Sequence, residues 1–454
     1  MLIMNRRTFL KSGLASFGVS SSNLFLGSGL GLLSNMSAAS SSAPTDFKTL
    51  VMVFLHGGMD SLGLIVPSQN DSYERYKNIR QNLAFEQDAL IDFGLADFGA
   101  PAFCQNMANL YQSGKLAWMA NVGPLRQPTT KQMIEQNANA MPIFIGSHNS
   151  QVNLWQSGGM NPNAREGWGA KMVELMQPQS TAITPNISLD KSQLFTTTLN
   201  MPTFTVDPRG VNNIPRIYDE NRIPDEQVLF YDLQDHQRTN VLGAELATRN
   251  IRTLESSAEL SVILKNTNDT SVMYPTATGH AASNFQQQLK MAARLIEAAP
   301  SLNQNRQVIM VQMHGFDTHD NQDRDLPYLV SALFENLESF QNDIETRAVD
   351  ERVVTFSQSD FGRTPTINAN GTDHGWGGHY FVMGSSVKGG QLIGEVPAFD
   401  VETDKMLYNL SIPDISVEQY ASNLAKWFGL SQSDTLEVFP GLANFDDVDF
   451  GLFR

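Results

Sequence analysis

The chain has 454 residues, with 31 lysines and arginines against 47 aspartates and glutamates, for a formal net charge of −16. So acidic a chain argues against a nucleic-acid or anionic-membrane binder, which needs a surplus of cations. Its single cysteine, Cys104, excludes an internal disulfide framework, and its length is ample for a large hydrophobic core in one or two domains.

The first element in chain order is Met4-Asn5-Arg6-Arg7-Thr8-Phe9-Leu10-Lys11, which resembles a twin-arginine export signal. Residues 12–33 carry no charge and are weakly apolar, with Gly18, Gly27, Gly29 and Gly31 lowering both hydrophobicity and helix propensity. Small residues follow at 37–44, with cleavage points at Ala39 or Ala43. Residues 1–43 are therefore expected to be a signal peptide read by the twin-arginine export machinery, leaving a periplasmic or secreted protein with no stable transmembrane anchor. Removing them takes away Arg6, Arg7 and Lys11 and no acid, so the charge becomes about −19.

Residues 49–55 (TLVMVFL) form an apolar run that stops at His56-Gly57-Gly58, the pattern of a buried strand. Helical or mixed segments are expected at 81–95 and 103–112, and a strand at 116–122. Residues 178–280 are rich in Thr, Asn, Asp and Pro and read as an insertion covering an edge or mouth of the sheet, with helices near 226–236 and 242–265. A helix at 285–297 then leads to a strand at 307–313, an amphipathic helix starting near Pro327, and a strand at 352–356. That spacing predicts a parallel crossover. A last strand at 380–383 and a last helix at 417–428 complete an α/β pattern.

Polar residues gather where these strands end, the usual place for ligands in an open α/β sheet. Asp60 follows the first strand. His314, Asp317 and His319 follow the third, and Asp360, Arg363, Asp373, His374 and His379 follow the fourth. Aspartates and neutral imidazoles together supply oxygen and nitrogen donors for a divalent cation, which polarises a phosphoryl or carbonyl oxygen and acidifies water. Each also has a structural alternative: Asp60 as a helix cap, Asp317 as a turn residue, Asp360 with Arg363 as an ion pair, and His56 or His314 as a backbone hydrogen-bonding group. Ser147 beside His148 could carry nucleophilic chemistry or cap a helix.

Taken in order, these motifs resemble the 1501 domain-of-unknown-function family, within the alkaline-phosphatase-like superfamily. The carriers are Phe54-Leu55-His56-Gly57-Gly58-Met59-Asp60, Ser147-His148 with Trp155, Gly167-Trp168, Phe316-Asp317-Thr318-His319-x-x-Gln322, Ser359-Asp360-Phe361-Gly362-Arg363, Gly371-Thr372-Asp373-His374-Gly375, and Ser416-Val417-x-x-Tyr420 with Trp427-Phe428-Gly429. The resemblance implies a three-layer α/β sandwich with a mostly parallel sheet, a single domain over 44–454 and an insertion at about 178–280. It also implies two metals, drawn from zinc, manganese, magnesium or calcium. Asp60 and Asp360 resemble ligands of one, Asp317, His319 and His374 ligands of the other, and Ser147 the nucleophile, while Arg363 is placed to stabilise charge on an anionic phosphate or sulfate ester.

Two departures bear on that reading. Asp317 and His319 are closer together than the superfamily pattern has them, and Phe361 stands where a histidine often follows the aspartate; phenylalanine cannot coordinate a metal. Asp373, His314 or His379 could rebuild the centre. Two functions are therefore carried forward: a metal-dependent hydrolase or transferase, and an inactive binding protein on the same scaffold.

Overall fold

The computed structural model describes residues 47–176, 183–210, 225–237, 240–267, 269–275 and 279–454. The expected signal peptide lies outside them. In chain order the principal elements are β1 (Lys48–His56), α1 (Asn70–Arg80), α2 (Gln105–Gln112), β2 (Leu116–Gly123), α3 (His148–Ser157), α4 (Trp168–Met176), β3 (Asn186–Ser188) and β4 (Phe204–Thr205). There follow α5 (Asp225–Gln237), α6 (Val241–Lys265), α7 (His280–Ala298), β5 (Arg306–His314), α8 (Gln322–Thr346), β6 (Val353–Ser359), β7 (Arg363–Asn368), β8 (Gly371–His374), β9 (Gly378–Met383), β10 (Leu392–Ile393), β11 (Ile415–Ser416) and α9 (Val417–Phe428).

The TLVMVFL run is the middle of the sheet. Every residue of β1 from Thr49 to Leu55 is buried, and alternate side chains enter two different cores. Val51, Val53 and Leu55 pack with residues of α2, α7 and α8, whereas Leu50, Met52 and Phe54 pack with residues of α4 and α9. Helices therefore cover both faces in three layers. The strand order is β10-β2-β9-β6-β1-β5-β3-β4, with β11 also paired to β2. The pairs in this sheet are parallel except those made by β9, which runs antiparallel to β2 and β6. This is the expected α/β class with its mostly parallel sheet, and β5-α8-β6 is its crossover.

Several elements differ from expectation. The helix is at 70–80 rather than 81–95, where two short 3-10 turns stand instead; its sequence is largely polar and buries only Tyr73, Tyr76 and Arg80, so it shows little periodicity. Helix α8 begins at Gln322, ahead of Pro327, with Asp323 and Asp325 favouring its N-terminal turn. The region expected to be an insertion contributes strands β3 and β4 to the sheet edge as well as the helices α5 and α6. No helix among the described residues is long and apolar enough to cross a membrane.

The register sets the site. Parallel pairing of β1 with β5 aligns His56 with His314, and pairing with β6 aligns Leu55 with Ser359, so the loops after all three strands leave the sheet side by side. Directly after β11, α9 starts with a capping box made by Ser416 and Gln419. Glu418, in its first turn, is 5% exposed, and burial pushes its carboxyl up to about 7. A group raised in the folded state stabilises the fold fully below its unfolded value near 4.5 and ceases to do so as pH rises through about 7. Because burial alone causes the shift, Glu418→Gln is expected to be close to the parent in stability at pH 5 and to exceed it by on the order of 3 kcal/mol at pH 8, measured by urea denaturation at each pH.

Candidate metal centre

Arg363 is fully buried, and its donors go to the strand-end loops. Nε donates to the Gly58 carbonyl at 2.8 Å, Nη1 to Thr372 at 2.8 Å, and Nη2 to Gly57 at 2.6 Å and Phe316 at 3.1 Å. Nη2 also donates to Asp317 Oδ1. One side chain thus joins the loop after β1, the loop after β5 and the β7–β8 hairpin. With no exposed surface, it acts as a positioning residue rather than as the substrate-facing charge expected from the sequence. The fit is close: Gly57 has φ +113°, and a Cβ there would lie 2.3 Å from the Asp317 backbone nitrogen.

Asp317 sits half-exposed at the centre of this junction. Partial burial pushes its carboxyl up, but hydrogen bonding and charge from Arg363, with His319 and His374, hold it below the usual carboxylate range overall. Around it stand three imidazoles. His148 Nε2 lies 3.5 Å from Asp317 Oδ2, while His374 Nε2 and His319 Nε2 each lie 3.2 Å from Oδ1. Donor atoms of His148, Asp317 and His374 fall within 4.8 Å of one another. His319 adjoins them, its Nε2 2.8 Å from that of His374.

The outer nitrogens explain how these rings are oriented. His374 Nδ1 lies 2.6 Å from the Gly146 carbonyl, which can only accept, so Nδ1 carries the proton and the neutral ring turns a lone pair at Nε2 toward Asp317. Burial lowers the His374 pKa, with the nearby Arg363 charge acting in the same direction and the acceptors on Gly146 and Asp317 opposing it, so the neutral ring is favoured. His148 Nδ1 lies 2.6 Å from Asp360 Oδ2, and His319 Nδ1 lies 3.3 Å from Asp373 Oδ1. Each outer nitrogen therefore faces an acceptor. Protonation there leaves three Nε2 lone pairs and a carboxylate converging, a crowding that a cation relieves. Ligating histidines have this same outer arrangement, with the second N–H given to a carboxylate or carbonyl.

The remaining sequence candidates fall into other networks. Asp360 is buried; Oδ1 accepts from the Gly57 N–H at 3.1 Å and Oδ2 faces His148, so it orients an imidazole. Asp373 does the same for His319 and also accepts from Asn368. Asp60 is 1% exposed and closed by a two-pronged ion pair with Arg80, at 2.7 and 2.9 Å, plus a 2.6 Å hydrogen bond from Gln322. Asp60 and Asp360 thus answer to different partners rather than to one shared metal position. His379 is buried and its pKa falls to about 4 through burial; it accepts from the Asn121 backbone. His314 stacks on His56, with ring centroids 4.2 Å apart, and faces Asp190.

Phe361 takes the place noted in the sequence as a departure. Its ring is buried 4.4 Å from the His374 ring and 5.0 Å from the His148 ring, an apolar floor beneath both imidazoles. Gly58 makes room for it, since a Cβ at that position would lie 2.5 Å from the Phe361 ring. Ser147 precedes α3, and its hydroxyl contacts Ser150 Oγ at 3.4 Å. Sequence reasoning missed Arg80 and the Gly146 carbonyl, for which no motif signals, and it read His148 as a partner of Ser147 rather than of Asp317 and Asp360.

The fold and site define an α/β protein with a cluster of histidines and aspartates at the carboxyl ends of its strands. The chain belongs to the family described as "Protein of unknown function (DUF1501)", matched over residues 47–422. No curated protein matches it in sequence. Among solved structures it is similar to Ps i-CgsB in complex with k-i-k-neocarrahexaose, at 11% identity and TM-score 0.37, covering 88% of this chain and 77% of that one. It is also similar to the lipoteichoic acid synthase LtaP from Listeria monocytogenes, at 8% identity, TM-score 0.34 and coverage of 89% and 78%. A third is the periplasmic domain of EcEptC from Escherichia coli in complex with Zn, at 9% identity, TM-score 0.33 and coverage of 86% and 84%.

The Asp60 network yields a stability prediction. Arg80→Ala leaves the Asp60 carboxylate buried without its charge partner and is expected to cost about 3–5 kcal/mol in urea denaturation, whereas the double change Arg80→Met with Asp60→Leu recovers most of that loss.

Proposed function

We propose that this protein is an exported hydrolase or transferase of phosphate or sulfate esters that works with one divalent metal. The observation that carries the reading is the convergence of His148, His374, His319 and Asp317 with an acceptor behind each imidazole. Those four residues would hold the ion. A donor set of three imidazoles and one carboxylate favours zinc or another transition metal over magnesium or calcium, which prefer oxygen. When bound, such an ion supplies Lewis acidity toward an ester oxygen and acidifies water.

The chain's own residues account for the rest. Helix α3 points its N-terminus at the centre through His148, so its unpaired N–H groups and dipole favour an anionic group beside the metal ligands. That is the support for an anionic ester. Ser147, at the same helix end, is the candidate nucleophile, with water as the alternative attacker. Asp360 and Asp373 keep the outer nitrogens of His148 and His319 protonated, Arg363 sets the Asp317 carboxylate, and Phe361 keeps water from beneath the rings. The Asp60–Arg80 pair and Phe361 favour one metal over two. The signal-like segment at 1–43 supports delivery to the periplasm by the twin-arginine machinery, a route that carries folded proteins and suits a metal centre assembled from distant residues. Residues 44–454 form the domain delivered, with the insertion near 178–280 part of it.

Metal analysis of the purified full chain after exposure to zinc or manganese tests this. About one equivalent is expected in the parent, a 10- to 100-fold weaker affinity in Asp360→Asn, and loss in His374→Ala. Hydrolysis of p-nitrophenyl phosphate or p-nitrophenyl sulfate is expected to disappear in Asp317→Ala and on chelation. A folded parent that retains no metal, or ester hydrolysis indifferent to Asp317→Ala, overturns the proposal.

A further inference from the structure

At the opposite end of α3 from His148 lies a cavity. It has a volume of about 480 Å³, and Gly158, Gly159, Arg126, Arg165, Glu418 and Gly441 are among its lining residues. Ten residues of helix separate its wall from the metal centre, roughly 15 Å at the α-helical rise. The cavity uses none of the residues assigned to the centre.

Its distinguishing feature is Glu418. The side chain is 95% buried, yet Oε2 has no hydrogen-bond partner among the described residues. Two glycines bring backbone up to the carboxyl: a Cβ on Gly441 would lie 2.4 Å from Oε2, and one on Gly159 would lie 3.5 Å from Oε1. A side chain at Gly441 would clash with the carboxyl, while one at Gly159 would sit in ordinary contact with it. A buried acceptor without a donor is costly, and an ionised carboxylate can only accept. The site is thus built around a group that wants a donor.

The rim has the complementary chemistry. Arg126 and Arg165 are exposed there, and neither guanidinium has a partner among the described residues. The other charged groups of the lining already face each other, Lys171 and Glu166, at 3.7 Å. A carboxylate at depth and two free guanidiniums at the mouth match a molecule with a cationic donor at one end and an anion at the other. An ammonium group offers three N–H donors and cancels the charge of Glu418, and a carboxylate meets arginine in a two-pronged pair.

We propose that this cavity binds a small zwitterion, the free ammonium end of an amino acid or short peptide on Glu418 and its carboxylate on Arg126 and Arg165. The volume accommodates a dipeptide. The site is independent of the metal centre and of the ester chemistry proposed for it.

Isothermal titration calorimetry of the full chain with glycylglycine at pH 8 is the test. Saturable binding is expected, weakened at least about tenfold by Glu418→Gln and several-fold by Arg165→Ala. N-acetylglycylglycine, which lacks the ammonium, and glycylglycine amide, which lacks the carboxylate, are each expected to bind at least about tenfold more weakly than glycylglycine. Thermal melts verify that each variant is folded; Arg165 is exposed, so its variant reports even if Glu418→Gln does not fold. No saturable heat with the parent, equal binding by the N-acetyl compound, or equal affinity in folded Glu418→Gln or Arg165→Ala overturns the proposal. Unchanged metal content in Arg165→Ala is expected, and coupled loss of metal would refute the independence of the two sites.

Discussion

A guanidinium with no exposed surface must find acceptors inside the protein, and Arg363 finds them in the loops that carry the centre. Four backbone carbonyls and the Asp317 carboxylate surround it. Stripping an arginine of water is tolerable only when its donors are matched, so the loops after β1 and β5 and the β7–β8 hairpin are held in one arrangement or the charge is stranded. Asp317 takes its position and its low pKa from this contact, and three imidazoles are gathered around Asp317. The centre is therefore a consequence of satisfying one buried cation.

Beside it two buried aspartates are handled differently. Asp60 is neutralised by Arg80 and further bound by Gln322, which also links Thr318 and Thr372 through its carbonyl oxygen. That network is closed and structural. Asp360 has no arginine; it holds the Gly57 N–H on one oxygen and His148 on the other. Its charge is passed outward as a preference for a proton on His148 Nδ1. The two aspartates look alike as strand-end residues, but their neighbours make one an anchor and the other an orienting group.

Much of the fold was legible in the sequence because burial on both faces of β1, β2, β5 and β6 writes continuous apolar runs. The final helix was equally plain, since Ser416, Gln419 and Gly429 mark its ends by local hydrogen bonding and a left-handed cap. Helix α1 was not: it buries little apolar surface, and its function is to bring Arg80 to Asp60, a contact with no periodic signature. The short strands β3 and β4 were hidden for a similar reason, being too brief to show alternation.

Residue type and position after a strand were enough to bring Asp317, His319, Asp360, Asp373 and His374 into one neighbourhood, because α/β topology restricts where such side chains stand. Which atoms face one another was beyond the sequence. Whether a carboxylate points at an arginine, an imidazole or open space depends on burial and on partners hundreds of residues away. The resemblance placed Asp60 with Asp360, and residue type set Arg363 either in an ion pair with Asp360 or toward a substrate. Packing decided otherwise, giving Arg80 to Asp60, Phe361 to the floor beneath the rings, and Arg363 to the carbonyls of the loops it holds together.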